Sequence, residues 1–157
     1  MKNGVKLVIS IAIPLLVGFA GSYFTRPAID GWFQTIQKPS WQPPNWVFAP
    51  VWTTLYIMMG IALFLVWKKQ YAGDQKKTAI SLWIIQLVLN FMWSYLFFNR
   101  QQLGLALVEI IVLWIFILFT IIAFARISKP AAWLMVPYIA WVSFATLLTW
   151  SIYSLNT

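Results

Sequence analysis

The sequence predicts an all-α integral membrane protein, a bundle of five transmembrane helices, and three observations lead there. Of its 157 residues, 62% are hydrophobic and 9% charged, whereas a soluble domain carries roughly 25% charged residues to cover its water-facing surface. Five apolar runs of 18 to 23 residues follow one another along the chain, and a bilayer core of about 30 Å takes about 20 helical residues. Lysines, arginines and prolines cut these runs apart and leave only short connections. Lipid offers the backbone no hydrogen-bond partners, so a span is either a helix or a strand of a closed barrel. The period-two alternation of a barrel strand is missing here. One membrane domain over residues 1–157 is expected.

The first run covers residues 7–24, after Lys2 and Lys6. A basic start and a stretch ending in Ala20-Gly21-Ser22 have the look of a cleaved signal. However, 18 apolar residues exceed the 7–15 of a signal's apolar region, so this run is expected to remain as the first span. The second run is 46–67, closed by Lys68 and Lys69; the third is 79–98, closed by Asn99 and Arg100. The fourth is 103–125, closed by Arg126, and the fifth is 132–153.

Residues 25–45 form the longest connection, with Pro27, Pro39, Pro43 and Pro44 and the indoles of Trp32 and Trp41. Proline fixes φ and lowers the entropy cost of holding a loop in one shape, so an ordered loop capping a ligand site is expected. An aromatic belt at headgroup level is the plainer alternative.

Basic residues set the orientation. With five crossings, one side holds Lys2, Lys6, Lys68, Lys69, Lys76, Lys77, Arg126 and Lys129, and the other holds Arg26, Lys38 and Arg100. The positive-inside rule puts the N-terminus in the cytoplasm and the first connection and C-terminus outside. The net charge of +8 therefore reports topology and anionic lipid, and no nucleic-acid partner is expected.

The chain has no cysteine and no histidine. That removes disulfides, thiolate nucleophiles, imidazole acid–base chemistry and the usual zinc and haem ligands. Asp30, Asp74 and Glu109 are the only acids, too few for a carboxylate metal cage. Neither a metal nor a resident cofactor is expected.

Polar residues inside the spans are the remaining candidates. Gln86, Asn90, Trp93 and Phe97 recur at i, i+4, i+7 and i+11, one helical face. The two amides either join helices, at about 0.6 kcal/mol on average, or Asn90 presents its amide to a ligand. Depth brings several groups to one level: Asn90 lies roughly 12 Å from the outer end of its span and Trp52 roughly 9 Å from its own, at 1.5 Å per residue. Trp141, Ala145 and Leu148 share a face of the fifth span, with Ala145 at a similar depth, and Gly18 and Ser22 give the first span a small-residue face. Glu109 is the one acid within a span. It is either a proton-coupling group of a small-molecule transporter or an interfacial acid within reach of Arg100.

Three stretches resemble a known family. They are Lys38-Pro39-Ser40-Trp41-Gln42-Pro43-Pro44 with Phe48-Ala49-Pro50-Val51-Trp52-Thr53-Thr54-Leu55-Tyr56 through Gly60 following it, then Gln86 to Ser94 with Phe97-Phe98, then Pro137-Tyr138-Ile139-Ala140-Trp141 through Thr146. Together they are similar to the translocator protein family, also known as tryptophan-rich sensory proteins or peripheral-type benzodiazepine receptors, in a bacterial-type member. The resemblance spans essentially the whole chain. It implies a five-helix bundle in the cell membrane, often a homodimer, with a pocket toward the first connection. Porphyrins such as protoporphyrin IX and ligands of the benzodiazepine and isoquinoline carboxamide types are the implied partners. Some members are linked to light-dependent porphyrin breakdown, so an enzymatic activity of that kind is implied as well.

By position the implied site is Trp41, Trp52, Asn90, Trp93, Trp141, Phe144, Ala145 and Leu148, to which the small-residue face of the first span adds Ser22. The tryptophans associated with breakdown correspond to Trp52 and Trp141. Indole faces suit a flat ring, and Arg26, Lys38 and Arg100 are candidate partners for its carboxylates. With no histidine or cysteine to serve as axial ligand, metal-free porphyrin suits the chain better than haem.

Two features depart from the family pattern. The sterol-contact pattern of animal members needs a basic residue after Tyr153, where Ser154-Leu155-Asn156-Thr157 stands. The same loose pattern is met by Val66, Tyr71 and Lys76 in a connection, which shows how weak it is. Thr149 stands where many members have asparagine.

Overall fold

A computed structural model describes residues 1–70 and 73–157; Tyr71 of the loose sterol pattern lies outside the described residues. Those residues form helices and no strand, and five helical segments are long and apolar enough to cross a membrane. The first is α1 (Asn3–Asp30), and a single short turn, α2 (Trp32–Thr35), follows it in the first connection. A 3-10 turn (Asn45–Val47) leads into α3 (Phe48–Trp67), the second span. The third is α4 (Asp74–Ser94), extended by a π-helical turn (Tyr95–Asn99), and the fourth is α5 (Leu103–Ala125). The fifth is broken into α6 (Lys129–Leu134) and α7 (Val136–Leu155) at Met135, just before Pro137.

The first helix continues where the apolar run stops. α1 passes Phe24 and runs through Pro27 to Asp30. Proline inside a helix removes one backbone donor, and hydroxyl side chains can re-bind carbonyls around such a site in a membrane helix. Here Thr25 Oγ1 donates to the Gly21 carbonyl at 3.1 Å and Ser22 Oγ to that of Phe19 at 2.6 Å. Pro14 has a different consequence. It cannot donate to Ser10 O, and Gly60 of α3 lies against that carbonyl; an added Cβ would sit 2.6 Å from both Ser10 O and Ile11 Cα. Close α1–α3 packing therefore depends on a glycine, as small residues let membrane helices approach.

The spans close into a ring. α1 packs on α3 and α4, α4 on α5, α5 on α7, and α6 fills between α3 and α5. Trp114 Nε1 donates to Ser143 Oγ at 2.8 Å, and Gly104 lies against the Tyr153 ring, which fixes the antiparallel register of α5 on α7. At the turn into α5, Arg100 N donates to Tyr95 O at 2.9 Å, closing the π-helical turn, and Gln101 takes φ 56°. On the basic side the ring is filled by Met59, Trp83, Ile117, Phe124 and Met135. On the side of the first connection it is hollow.

Candidate functional site

The hollow is a cavity of about 410 Å³, within the usual range of small-molecule pockets. Its walls differ in character. α1 supplies Gly18, Gly21, Ser22 and Thr25, so one wall is nearly backbone. α3 supplies Phe48, Trp52 and Tyr56, and α7 supplies Trp141, Phe144, Ala145 and Leu148. α4 and its π-helical turn supply Trp93, Phe97 and Phe98. A π-helical turn inside a helix commonly marks a functional site. This one carries both phenylalanines to the wall, with ring centroids 4.7 Å apart.

The aromatic rings hold one another in place. Trp52 stacks on Tyr56 at 5.6 Å and meets Trp141 edge-on at 6.5 Å, with 85° between the planes. Trp141 in turn packs on Phe144 at 5.4 Å and Phe48 at 6.1 Å. Trp93 packs on Phe97 at 5.2 Å across the cavity's other wall. Among the described residues, the indole N–H groups of Trp93 and Trp141 have no hydrogen-bond partner.

Of the nine residues expected at the site, Ser22, Trp52, Trp93, Trp141, Phe144, Ala145 and Leu148 line this one cavity. Trp41 does not. It is half exposed and sits one layer out, its ring edge-on to Phe144 at 5.6 Å.

Asn90 is placed differently from the expectation that it presents its amide to a ligand. It lies outside the cavity lining, and both ends of its side chain are engaged inside the protein. The Tyr56 hydroxyl donates to Asn90 Oδ1 at 2.8 Å, and Asn90 Nδ2 donates to the Tyr138 hydroxyl at 2.9 Å. That hydroxyl donates onward to Gln86 Oε1 at 2.8 Å. Gln86 completes the line with Nε2 3.8 Å from Met59 Sδ. The chain joins α3, α4 and α7 and orients Tyr56, which does line the cavity. Asn90 thus positions a wall residue.

The expected cations also separate. Arg26 lines the cavity. Lys38 is held within its own loop, its Nζ donating to Phe33 O at 2.6 Å and Ile36 O at 3.2 Å. Arg100 is exposed and lies outside the lining. Glu109 does not reach out to Arg100: it is buried, and among the described residues neither carboxylate oxygen has a partner.

The residues missed from the sequence are Tyr56, Tyr138, Phe33 and Asn156. Phe33 of α2 is buried against Phe97, Leu148 and Ile152 and lines the cavity. Asn156, at the end of α7, ties the first connection down: its Oδ1 accepts from Gln37 N and its Nδ2 donates to Gln37 O, both at 2.9 Å. Tyr56 and Tyr138 stood within the motifs, but the partners of their hydroxyls come from another helix. Nothing in the sequence pairs Asn156 with Gln37.

Fold and site together define a class: a multi-pass integral membrane protein that encloses an aromatic-walled cavity between its spans. Residues 10–155 match the TspO/MBR family, and the chain belongs to that family. It is 48% identical to Tryptophan-rich protein TspO of Chlorobaculum tepidum over 155 residues, covering 99% of this chain and 98% of the relative. It is 43% identical to Tryptophan-rich protein TspO of Archaeoglobus fulgidus, covering 98% of this chain and 99% of the relative. To the human Translocator protein it is 39% identical, over 91% of this chain and 85% of that one. Membership carries a general membrane binding or sensory role.

Proposed function

We propose that the cavity is a receptor site for porphyrins, protoporphyrin IX among them, and for flat aromatic ligands of the benzodiazepine and isoquinoline carboxamide types. The observation that carries this reading is the wall of crossed rings: Trp52 and Trp141 stand at 85° beside an α1 wall of glycine and serine. A planar ring can slide along the small-residue wall and take indole contacts on the other, worth about 0.5–1.5 kcal/mol per aromatic pair beyond area burial. Arg26 at the wall supplies a guanidinium for a propionate, a charge-assisted contact stronger than a neutral one. The unpartnered indole N–H groups of Trp93 and Trp141 offer donors to carbonyl or carboxylate groups. The first connection, tied to α7 through Gln37 and Asn156, caps the site.

The same reading includes light-dependent porphyrin breakdown, with the bound porphyrin as chromophore and Trp52 and Trp141 beside it. It also includes a homodimer in a bacterial cell membrane, with the N-terminus cytoplasmic and the cap outside. Under illumination, Trp52→Phe and Trp141→Phe slow the loss of protoporphyrin absorbance while binding, read by quenching of tryptophan fluorescence, persists. Unchanged loss in both variants removes breakdown at these indoles.

A second reading, proton-coupled transport of a small molecule, rests on the buried and unpartnered Glu109. It requires that proteoliposomes carrying Glu109→Gln lose uptake driven by a pH gradient.

A further inference from the structure

Five residues that line the cavity are also exposed: Phe19 and Arg26 of α1, Asn45 of the 3-10 turn, and Ala49 and Thr53 of α3. None belongs to α4 or α7, whose lining residues are buried or half-buried. The exposed residues stand along one gap. Counting along both helices from the contact of Gly60 with Ile11, Phe19 comes level with Trp52 and Thr53, Ser22 with Ala49, and Arg26 with Asn45. The cavity therefore opens sideways, between α1 and α3.

The end toward water is closed. Phe33 of the cap is 3% exposed and packs with Phe97, Leu148 and Ile152, and Asn156 binds both the N–H and the carbonyl of Gln37. The sideways gap has a looser closure. Phe19 is 62% exposed, and its ring meets Tyr23 of its own helix edge-on at 5.8 Å. Exposed side chains change rotamer in picoseconds to nanoseconds, so Phe19 can swing aside without breaking a backbone bond.

The edges of the gap grade from hydrocarbon to cation. Ser22 Oγ donates to Phe19 O at 2.6 Å and Thr53 Oγ1 to Ala49 O at 2.8 Å. Both hydroxyls are thus turned onto their own helices, and the edges meet lipid as apolar surface. Arg26 and Asn45 stand at the end nearer the cap, Arg26 about 10 Å along α1 from Phe19 at 1.5 Å per residue. Such a gap fits an amphiphile lying in the leaflet, its flat body level with Phe19 and its carboxylate beside Arg26. Entry from the side keeps that carboxylate near the headgroups, whereas a charge carried into hydrocarbon is costly.

We propose that the cavity is loaded from the bilayer: an aromatic carboxylate dissolved in the leaflet on the cap side enters between α1 and α3, with Phe19 as the gate and Arg26 guiding the carboxylate. The proposal rests on the cavity being the ligand site. To that reading it adds the supply route and the class of ligand, a membrane-dissolved amphiphile.

The test follows protoporphyrin IX by quenching of tryptophan fluorescence, with the full chain in phosphatidylcholine bilayers. Phe19→Ala widens the gap and Ala49→Phe fills it, each at an exposed position. Association and dissociation both quicken in the first and both slow in the second, by about tenfold, while Kd moves by less than about twofold, because a gate changes the barrier and not the end states. A second arm uses a porphyrin joined through one carboxylate to phosphatidylethanolamine, which cannot leave the bilayer. It quenches the wild-type chain more than Ala145→Phe, whose cavity is filled. Should Ala49→Phe fail to fold by circular dichroism, Phe19→Ala and the tethered porphyrin decide. Unchanged rates in the gate variants, or a changed Kd with association unaltered, overturn the sideways entry and leave the cavity standing. So does equal quenching of the two chains by the tethered porphyrin while free protoporphyrin IX tells them apart. If free protoporphyrin IX binds the wild type and Ala145→Phe alike, the cavity reading fails and this route falls with it.

Discussion

On the side of the first connection the spans stand apart around a cavity; on the basic side the same spans close on Met59, Trp83 and Phe124. The α1 sequence shows how one helix serves both halves. Where it meets α3 on the basic half, Gly60 of α3 brings the two backbones into contact. Where it passes the cavity, Gly21 and Ser22 leave the space open, whereas Gly18 lies tight against the Tyr56 ring. Small residues therefore have opposite effects on one helix, and the facing element decides which. Between the halves runs the hydrogen-bonded line of Tyr56, Asn90, Tyr138 and Gln86. Every member is satisfied, which matters because a buried polar group without a partner costs about 1–3 kcal/mol.

The contrast can be broken first at the packed half. Gly60→Val drives a side chain into the backbone of Ser10 and Ile11 and costs about 3 kcal/mol, the upper end for overpacking. Thermal unfolding in detergent should show the largest loss of any substitution considered, and an unchanged Tm contradicts the close α1–α3 contact.

The boundary comes next. Asn90→Ala strands the Tyr56 hydroxyl, while that of Tyr138 keeps Gln86, and costs about 1–2 kcal/mol, near the upper limit for polar contacts between membrane helices. Ligand affinity falls with it, through Tyr56, and adding Tyr56→Phe, which removes the stranded hydroxyl, should restore part of the lost stability. A smaller effect is expected at the cap. Asn156→Ala removes both bonds to Gln37, worth about 1 kcal/mol together at an exposed site, so ligand dissociation quickens while Tm barely moves. The smallest is Glu109→Gln, which keeps the shape of a side chain that has no hydrogen-bond partner among the described residues; Tm should hold or rise, and ligand affinity should not change.

Much of this was legible in the sequence because membranes simplify the problem. Apolar runs of the right length have few alternatives to helices, and counting residues puts Trp52 and Ala145 at a similar depth, with Trp141 and Leu148 on Ala145's face. Four features were not legible. The partners of Asn90 lie 34 and 48 residues away, so its face and depth alone could not separate a ligand anchor from an internal link. Hydropathy ended α1 at Phe24, whereas local hydroxyl bonds accompany the helix past Pro27 to Asp30. Lys38 counts as a free cation in the sequence, yet the loop folds two carbonyls onto it. The tie between Gln37 and Asn156 joins residues 119 apart with no motif in common.

The central claim is that the open half is a ligand site, and filling it tests that most directly. Ala145 lines the cavity beside Trp141 and Leu148, so Ala145→Phe places a ring where the ligand's ring would lie. Protoporphyrin IX is titrated into the wild-type and variant chains, with binding read by quenching of tryptophan fluorescence. Binding at least about tenfold weaker in the variant, equal to a loss of about 1.4 kcal/mol, at unchanged Tm is the predicted result. Equal affinity in the two chains would place the porphyrin somewhere other than this cavity.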